Sequence, residues 1–188
     1  MNKITLDSIV EAVNELPALP HIVVKIMQLS EDPDSTVQDI SNVLNQDQAM
    51  TARVLRLANS AFFGFPRRIS TVTDAIVFLG FKTIRSIVLA VSVSNILDRE
   101  IEGYALEHGE LWRHSQCSAI AARMIARKCK FGSLDLAYTA ALLHDIGKVI
   151  LNDHMKEAYH EVVARVDENN ISFMEAENEV FGFNHAQV

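Results

Sequence analysis

Ala140-Ala141-Leu142-Leu143-His144-Asp145-Ile146-Gly147-Lys148 sets a histidine–aspartate doublet inside an apolar run. Leu142, Leu143, Ile146, Val149, Ile150 and Leu151 cover nearly the whole circumference of a helix, so the stretch reads as one buried helix ending near Asn152. An imidazole and a carboxylate placed there need partners, because burying polar groups unpaired costs a few kcal/mol or more. Adjacent helical residues point roughly 100° apart, so one ion can touch both only from the cleft between them. Lys148 follows His144 by four residues and Asp145 by three, and shares their face. Two readings stand side by side: an internally paired His-Asp helix, and a metal-type doublet with a cation ready for phosphate.

Around this stretch, strand alternation is absent and helical spacing is nearly everywhere, so the class is all-α. A first helix is expected over residues 6–15, stopped by Pro17. Pro20 opens a second, with Ile22, Val23, Ile26, Met27 and Leu29 as its stripe and Pro33 beyond its end. Ser35-x-x-Gln38 reads as a capping box for a third, with Val37, Ile40, Val43 and Leu44 inward. Asp47 caps a fourth, on which Met50, Val54, Leu57 and Ala61 recur. Phe62-Phe63-Gly64-Phe65-Pro66 is an aromatic loop, expected to fold onto the core rather than to offer a partner patch. Thr71-x-x-Asp74 opens a short helix that Gly80 should end in the left-handed conformation, and a long helix follows over 82–97.

Asp98-Arg99-Glu100 and Gly103 suggest a boundary near residue 100, giving lobes of 1–100 and 101–188. The second lobe opens with a helix over about 107–130, carrying Leu111, Trp112, Ala119, Ile120, Met124 and Ile125. Gly132-Ser133 breaks it and caps the doublet helix. Another helix is expected over 155–168, and Ser172-x-x-Glu175 opens a last one ended by Gly182. The chain stops at Val188 inside what reads as a new helix, so the second lobe looks cut short.

The 188 residues include 49% apolar and 22% charged side chains, enough to bury a core. Seventeen Lys+Arg against 24 Asp+Glu give −7. That balance argues against nucleic acid or an anionic membrane as the main partner, and leaves room for a small phosphorylated ligand. No signal peptide or membrane span is legible, so a cytoplasmic protein is expected. Cys117 and Cys129 lie 12 residues apart (129 − 117) on one expected helix, about 18 Å, too far for a disulfide.

His114 precedes His144 by 30 residues (144 − 114), and His185 follows Asp145 by 40 (185 − 145). A histidine, a His-Asp pair and a further histidine on separate helices could converge on one divalent ion such as Fe, Mn, Zn or Ni. His114 and His144 are expected on neighbouring antiparallel helices, within about 12 Å, because one short turn joins them.

With these residues in view, the chain resembles the HD superfamily of metal-dependent phosphohydrolases, through His114 and the Leu142–Lys148 stretch. It is more closely similar to one branch, the HDOD domain (HD-related output domain) of bacterial signalling proteins. The resemblance is carried by Leu16-Pro17-Ala18-Leu19-Pro20, by Asp47 and Leu55-Arg56-Leu57-Ala58-Asn59-Ser60-Ala61, and by Ile69-Ser70. It continues through Asp74-Ala75-Ile76, Leu79-Gly80 and Asn184-His185-Ala186-Gln187-Val188. It covers residues 10–188 and implies an all-helical, two-lobe fold with a non-catalytic role, acting through a signalling protein or a ligand. Keeping His114, His144, Asp145 and Lys148 departs from the degenerate HDOD pattern. Active HD enzymes use a further Asp on a later helix, and Asp153 and Asp167 do not match its motif position. The alternative is a phosphohydrolase acting on a nucleotide or cyclic dinucleotide, with His114, His144, Asp145 and His185 as metal ligands and Lys148 on the phosphate.

Overall fold

Capping chemistry and apolar spacing place most helix ends in the computed structural model, which describes Leu6, Ile9 and residues 19–154 and 156–188. The expected first helix over 6–15 lies almost wholly outside the described residues. The chain is all-α: the described residues contain one isolated bridge, Ile101 with Leu106, and otherwise helices and turns. No helix among them is long and apolar enough to cross a membrane.

The chain forms two compact units. Among the described residues, one gathers those within 18–95 and 119–139; the other gathers those within 1–17, 96–118 and 140–188. In the first, Pro20 precedes α1 (His21–Glu31), and its carbonyl accepts from the Val23 N–H at 2.8 Å. The next cap is Thr36 rather than Ser35. The Asp39 carboxylate accepts from the Thr36 N–H while Thr36 Oγ1 accepts from the Asp39 N–H, a complete capping box for α2 (Val37–Leu44). An aspartate at the third position reaches back better here than Gln38, whose amide instead bonds Asn42. Asp47 caps α3 (Gln48–Ala58) through the Met50 N–H at 2.9 Å. Helix α3 ends sooner than its spacing suggests, so Met50, Val54 and Ala58 are buried, Leu57 is half-buried and Ala61 is exposed.

Thr71 caps α4 (Val72–Leu79), which Gly80 ends. Gly80 has φ 79° but ψ 161°, so it is not the left-handed cap expected. This extended turn passes straight into α5 (Phe81–Leu97), whose Ile84 N–H bonds the Gly80 carbonyl at 3.1 Å. Helix α1 packs on α2, α2 on α3 and α4, and α3 on α4. Val23, Ile26, Ile40, Leu44, Val54, Ile76, Ile84 and Val88 form the centre of an aliphatic core. Phe63 joins its edge and Phe62 is half-buried, so the aromatic loop folds largely inward; Phe65 stays exposed.

Helix α6 (Glu110–Lys128) begins in the second unit and continues into the first. Leu111 and Ala119 are buried, whereas Met124 and Ile125 are exposed, so the expected apolar stripe covers only its early turns. Within the first unit Arg123 pairs with Asp135 of α7 (Leu134–Leu143) at 2.9 Å. Cys117 and Cys129 are free. In the second unit a 3₁₀ turn (Glu102–Tyr104) packs against α8 (Ile146–His154) and α9 (Lys156–Asn169), and α9 packs on α10 (Phe173–Phe181). Ser172 and Glu175 make the expected capping box of α10, and Gly182 ends it. Residues 185–187 form a turn rather than the start of a helix.

Candidate metal and ligand site

The expected continuous helix through the doublet breaks at it: α7 ends at Leu143, His144 and Asp145 form a turn, and α8 starts at Ile146. The physical reason lies in both neighbours of the break. His144 donates its Nδ1–H to the Ala141 carbonyl at 2.8 Å, satisfying an acceptor that the end of a helix leaves open. On the far side, α8 runs so close to the His185 backbone that a Cβ at Gly147 would sit 2.0 Å from the His185 carbonyl oxygen. Only glycine permits that approach.

The break turns Asp145 inward. It is 3% exposed, and four side chains gather on its two oxygens. His114 Nε2 and His144 Nε2 each lie 3.5 Å from Oδ2, and the Lys148 ammonium donates to the same oxygen at 2.8 Å. His185 Nε2 faces Oδ1 at 3.5 Å. The His114 and His144 rings are 5.3 Å apart, well within the expected distance. Among the described residues, His114, His144 and Asp145 form the group whose ligand atoms all lie within 4.8 Å of one another. His185 is brought to Asp145 but stands outside that group, on its other oxygen. Asp153 is bound to Arg99 at 2.9 Å, and Asp167 is exposed.

With Nδ1–H bonded to a carbonyl, His144 presents Nε2 toward Asp145, the tautomer a metal ligand uses. Two imidazoles and one carboxylate suit a divalent transition metal. Lys148 is the competing cation: its ammonium already compensates the oxygen such an ion would share.

A second buried carboxylate, not singled out from the sequence, organises the rest. Glu177 on α10 is fully buried. Its Oε2 accepts from the His185 N–H at 2.9 Å and from His185 Nδ1 at 2.7 Å. Its Oε1 accepts from Tyr159 at 3.0 Å and from Tyr104 in a short hydrogen bond. Burial alone would raise the Glu177 carboxyl, but hydrogen bonds from His185 and Tyr104 outweigh it and hold the group below the usual carboxylate range. Burial, with the neighbouring phenol and carboxylate, pushes the Tyr104 hydroxyl up; burial does the same to Tyr159. Tyr104 also lies under the Lys148 ammonium, 5.4 Å from ring centre to Nζ. Glu177 thus fixes His185, and Tyr104 flanks Lys148.

One signal for Glu177 was present. Phe173, Ala176, Glu177, Val180 and Phe181 follow the i, i+3, i+4, i+7, i+8 spacing of a buried stripe, and the glutamate stands in the middle of it. A carboxylate at a core position marks a site or a paired charge.

The HDOD domain model matches residues 16–188. A solved HDOD domain protein of unknown function from Geobacter sulfurreducens is 35% identical with a TM-score of 0.80, over 97% of this chain and 60% of its own. A protein from Shewanella amazonensis SB2B, named "putative phosphohydrolase", is 29% identical with a TM-score of 0.77, over 95% of this chain and 62% of its own. An uncharacterized protein of Treponema pallidum (strain Nichols) is 26% identical over 162 residues, 86% of this chain and 30% of that protein. The chain therefore spans less than two thirds of these relatives. With the family model covering all but the first 15 residues, and the helical fold shared with the Geobacter protein, this chain belongs to the HDOD domain family.

Proposed function

We propose that this HDOD domain is a non-catalytic output module of bacterial signal transduction, working in the cytoplasm by binding a signalling protein or a ligand. The observation that carries the reading is Lys148. Its ammonium sits 2.8 Å from Asp145 Oδ2, the oxygen that also faces His114 and His144. A buried carboxylate already paired with an internal cation has little need of a second one. No further carboxylate joins the group among the described residues, so an ion there would have few protein ligands.

The second reading, a metal-dependent phosphohydrolase, is favoured by the same three side chains and by the His144 tautomer. His114, His144 and Asp145 would hold the ion, and His185 would stay with Glu177. A bound divalent ion would supply a water whose pKa is lowered to about 7. Lys148 would serve a phosphate oxygen as a point charge.

The two are separated by metal titration and turnover. Under the module reading, purified protein carries no stoichiometric transition metal and does not hydrolyse phosphomonoesters or phosphodiesters. Mn or Ni at high concentration should raise the melting temperature slightly by binding the native state, and His144→Ala should abolish that rise. Turnover by the wild type that both His144→Ala and Asp145→Ala eliminate would overturn the module reading.

A further inference from the structure

A cleft in the other compact unit, built on α3 and the loop that follows it, carries chemistry that the doublet does not use. It has a volume of about 860 Å³, within the range of small-molecule sites. Arg56, Arg67 and Arg68 line it with Asn59, Phe65 and Pro66, and no acidic residue does. Among the described residues none of the three arginines is in an ion pair. In a chain of net charge −7, three arginines lining one concavity form a local site for a polyanion. Arginine's planar fork matches phosphate oxygens two at a time.

The cleft is held in shape from below. Asn59 donates to the Leu55 carbonyl at 2.7 Å and to the Ile69 carbonyl at 2.8 Å, and accepts from the Ile69 N–H at 2.8 Å. Ile69 is buried, so the segment bearing Arg67 and Arg68 is anchored at its end. Binding then pays less in loop ordering. Phe65 is 36% exposed and its ring is steadied by Phe78, with centroids 5.8 Å apart. An exposed aromatic face beside three arginines suits a planar base attached to phosphate groups.

We infer that the Arg56–Arg67–Arg68 cleft binds a nucleotide bearing two or more phosphate groups, with the arginines on the phosphates and Phe65 against the base. The finite concavity and the acidic balance of the whole chain favour a small ligand over a nucleic-acid strand. The inference does not rest on the reading of the doublet, since none of these residues belongs to it.

Calorimetric titration of the whole chain with inorganic pyrophosphate and with adenosine and guanosine triphosphates tests it. Saturable binding of both classes is expected, weakening as NaCl is raised from about 50 to about 300 mM. Arg67→Gln/Arg68→Gln and, separately, Arg56→Gln should each weaken both probes at least about tenfold. These side chains are exposed, and an unchanged circular-dichroism spectrum will confirm that the variants fold. Phe65→Ala should weaken the triphosphates about tenfold and leave pyrophosphate unaffected. Absence of binding at millimolar probe, binding indifferent to both arginine variants, or tighter binding of a single-stranded RNA 20-mer through these arginines would overturn the inference.

Discussion

The two units bury different things. In the unit of residues 18–95 and 119–139 the core is mostly aliphatic, with Tyr138 also buried, and the buried polar side chains among the described residues carry hydroxyls: Ser41, Thr83 and Ser86. In the other unit Asp145, Glu177, His185, Asn152 and Asn184 are buried alongside Leu142, Leu151 and Val162. An apolar core tolerates small shifts, because burial is non-directional. A core built around two carboxylates does not, because each oxygen needs its donors in place. The first unit should therefore respond to lost volume, and the second to a lost partner.

The largest effect is expected at Glu177. Replacing it with alanine leaves two tyrosine hydroxyls and the His185 donors without their acceptor, and should cost about 3–5 kcal/mol in urea unfolding. A loss below about 1 kcal/mol would break the contrast. The same residue gives a pH signature. A carboxyl held below its usual value when folded adds stability that is complete above the unfolded value of about 4.3. That stability is lost as pH falls through the folded value. Glu177→Gln should flatten the acid limb of stability without abolishing it, since Asp39 and Glu175 are also lowered by their capping hydrogen bonds. At the other end, Tyr104 and Tyr159 hold their protons more tightly when folded, so stability should decline as pH rises past about 10.

In the aliphatic unit, Ile26→Ala should cost about 3 kcal/mol through lost burial and a cavity. Leu57 and Leu143, expected from spacing to be core residues, are only half-buried; alanine there should fall near about 2 kcal/mol, the bottom of the usual range. Gly147→Ala, which drives a methyl into the His185 carbonyl, should cost about 2 kcal/mol. It should also displace His185, visible as a shifted imidazole signal in NMR; an unmoved His185 would show that the close approach is not what holds it.

The smallest effects should be alike in both units. Thr36→Ala and Ser172→Ala each remove a complete capping box and should each cost about 1 kcal/mol. A cap is a local device, so unequal losses would mean that the surrounding cores contribute to one of them.

Most helices were legible because their signals are local. Pro20, Asp47, Thr71, Ser172 and Gly182 act within one turn of the backbone they cap or end, and period 3.6 marks the buried face. The structure departs from the local signals where two of them compete, as at Ser35 against Thr36, or where a helix ends a turn early, as at Ala58. The residues of the candidate site were legible as types: His114, His144, Asp145, Lys148 and His185 were singled out, and the fold gathers all of them around Asp145.

What the chain of residues could specify unaided was therefore the helical class, the caps and the cast of the site. Three things needed the folded molecule. The apolar run at 140–151 reads as one helix, and only the folded molecule shows the turn at the doublet, with His144 bonded to the Ala141 carbonyl on one side and His185 passing close over Gly147 on the other. Lys148 shares a face with the doublet in any helix, but only the tertiary structure places its ammonium on Asp145 Oδ2. Glu177 meets Tyr104 across 73 residues of chain and Tyr159 across 18. The reason is common to all three. Periodicity records which face of an element is buried; the partner across that face comes from another part of the chain, and only packing chooses it.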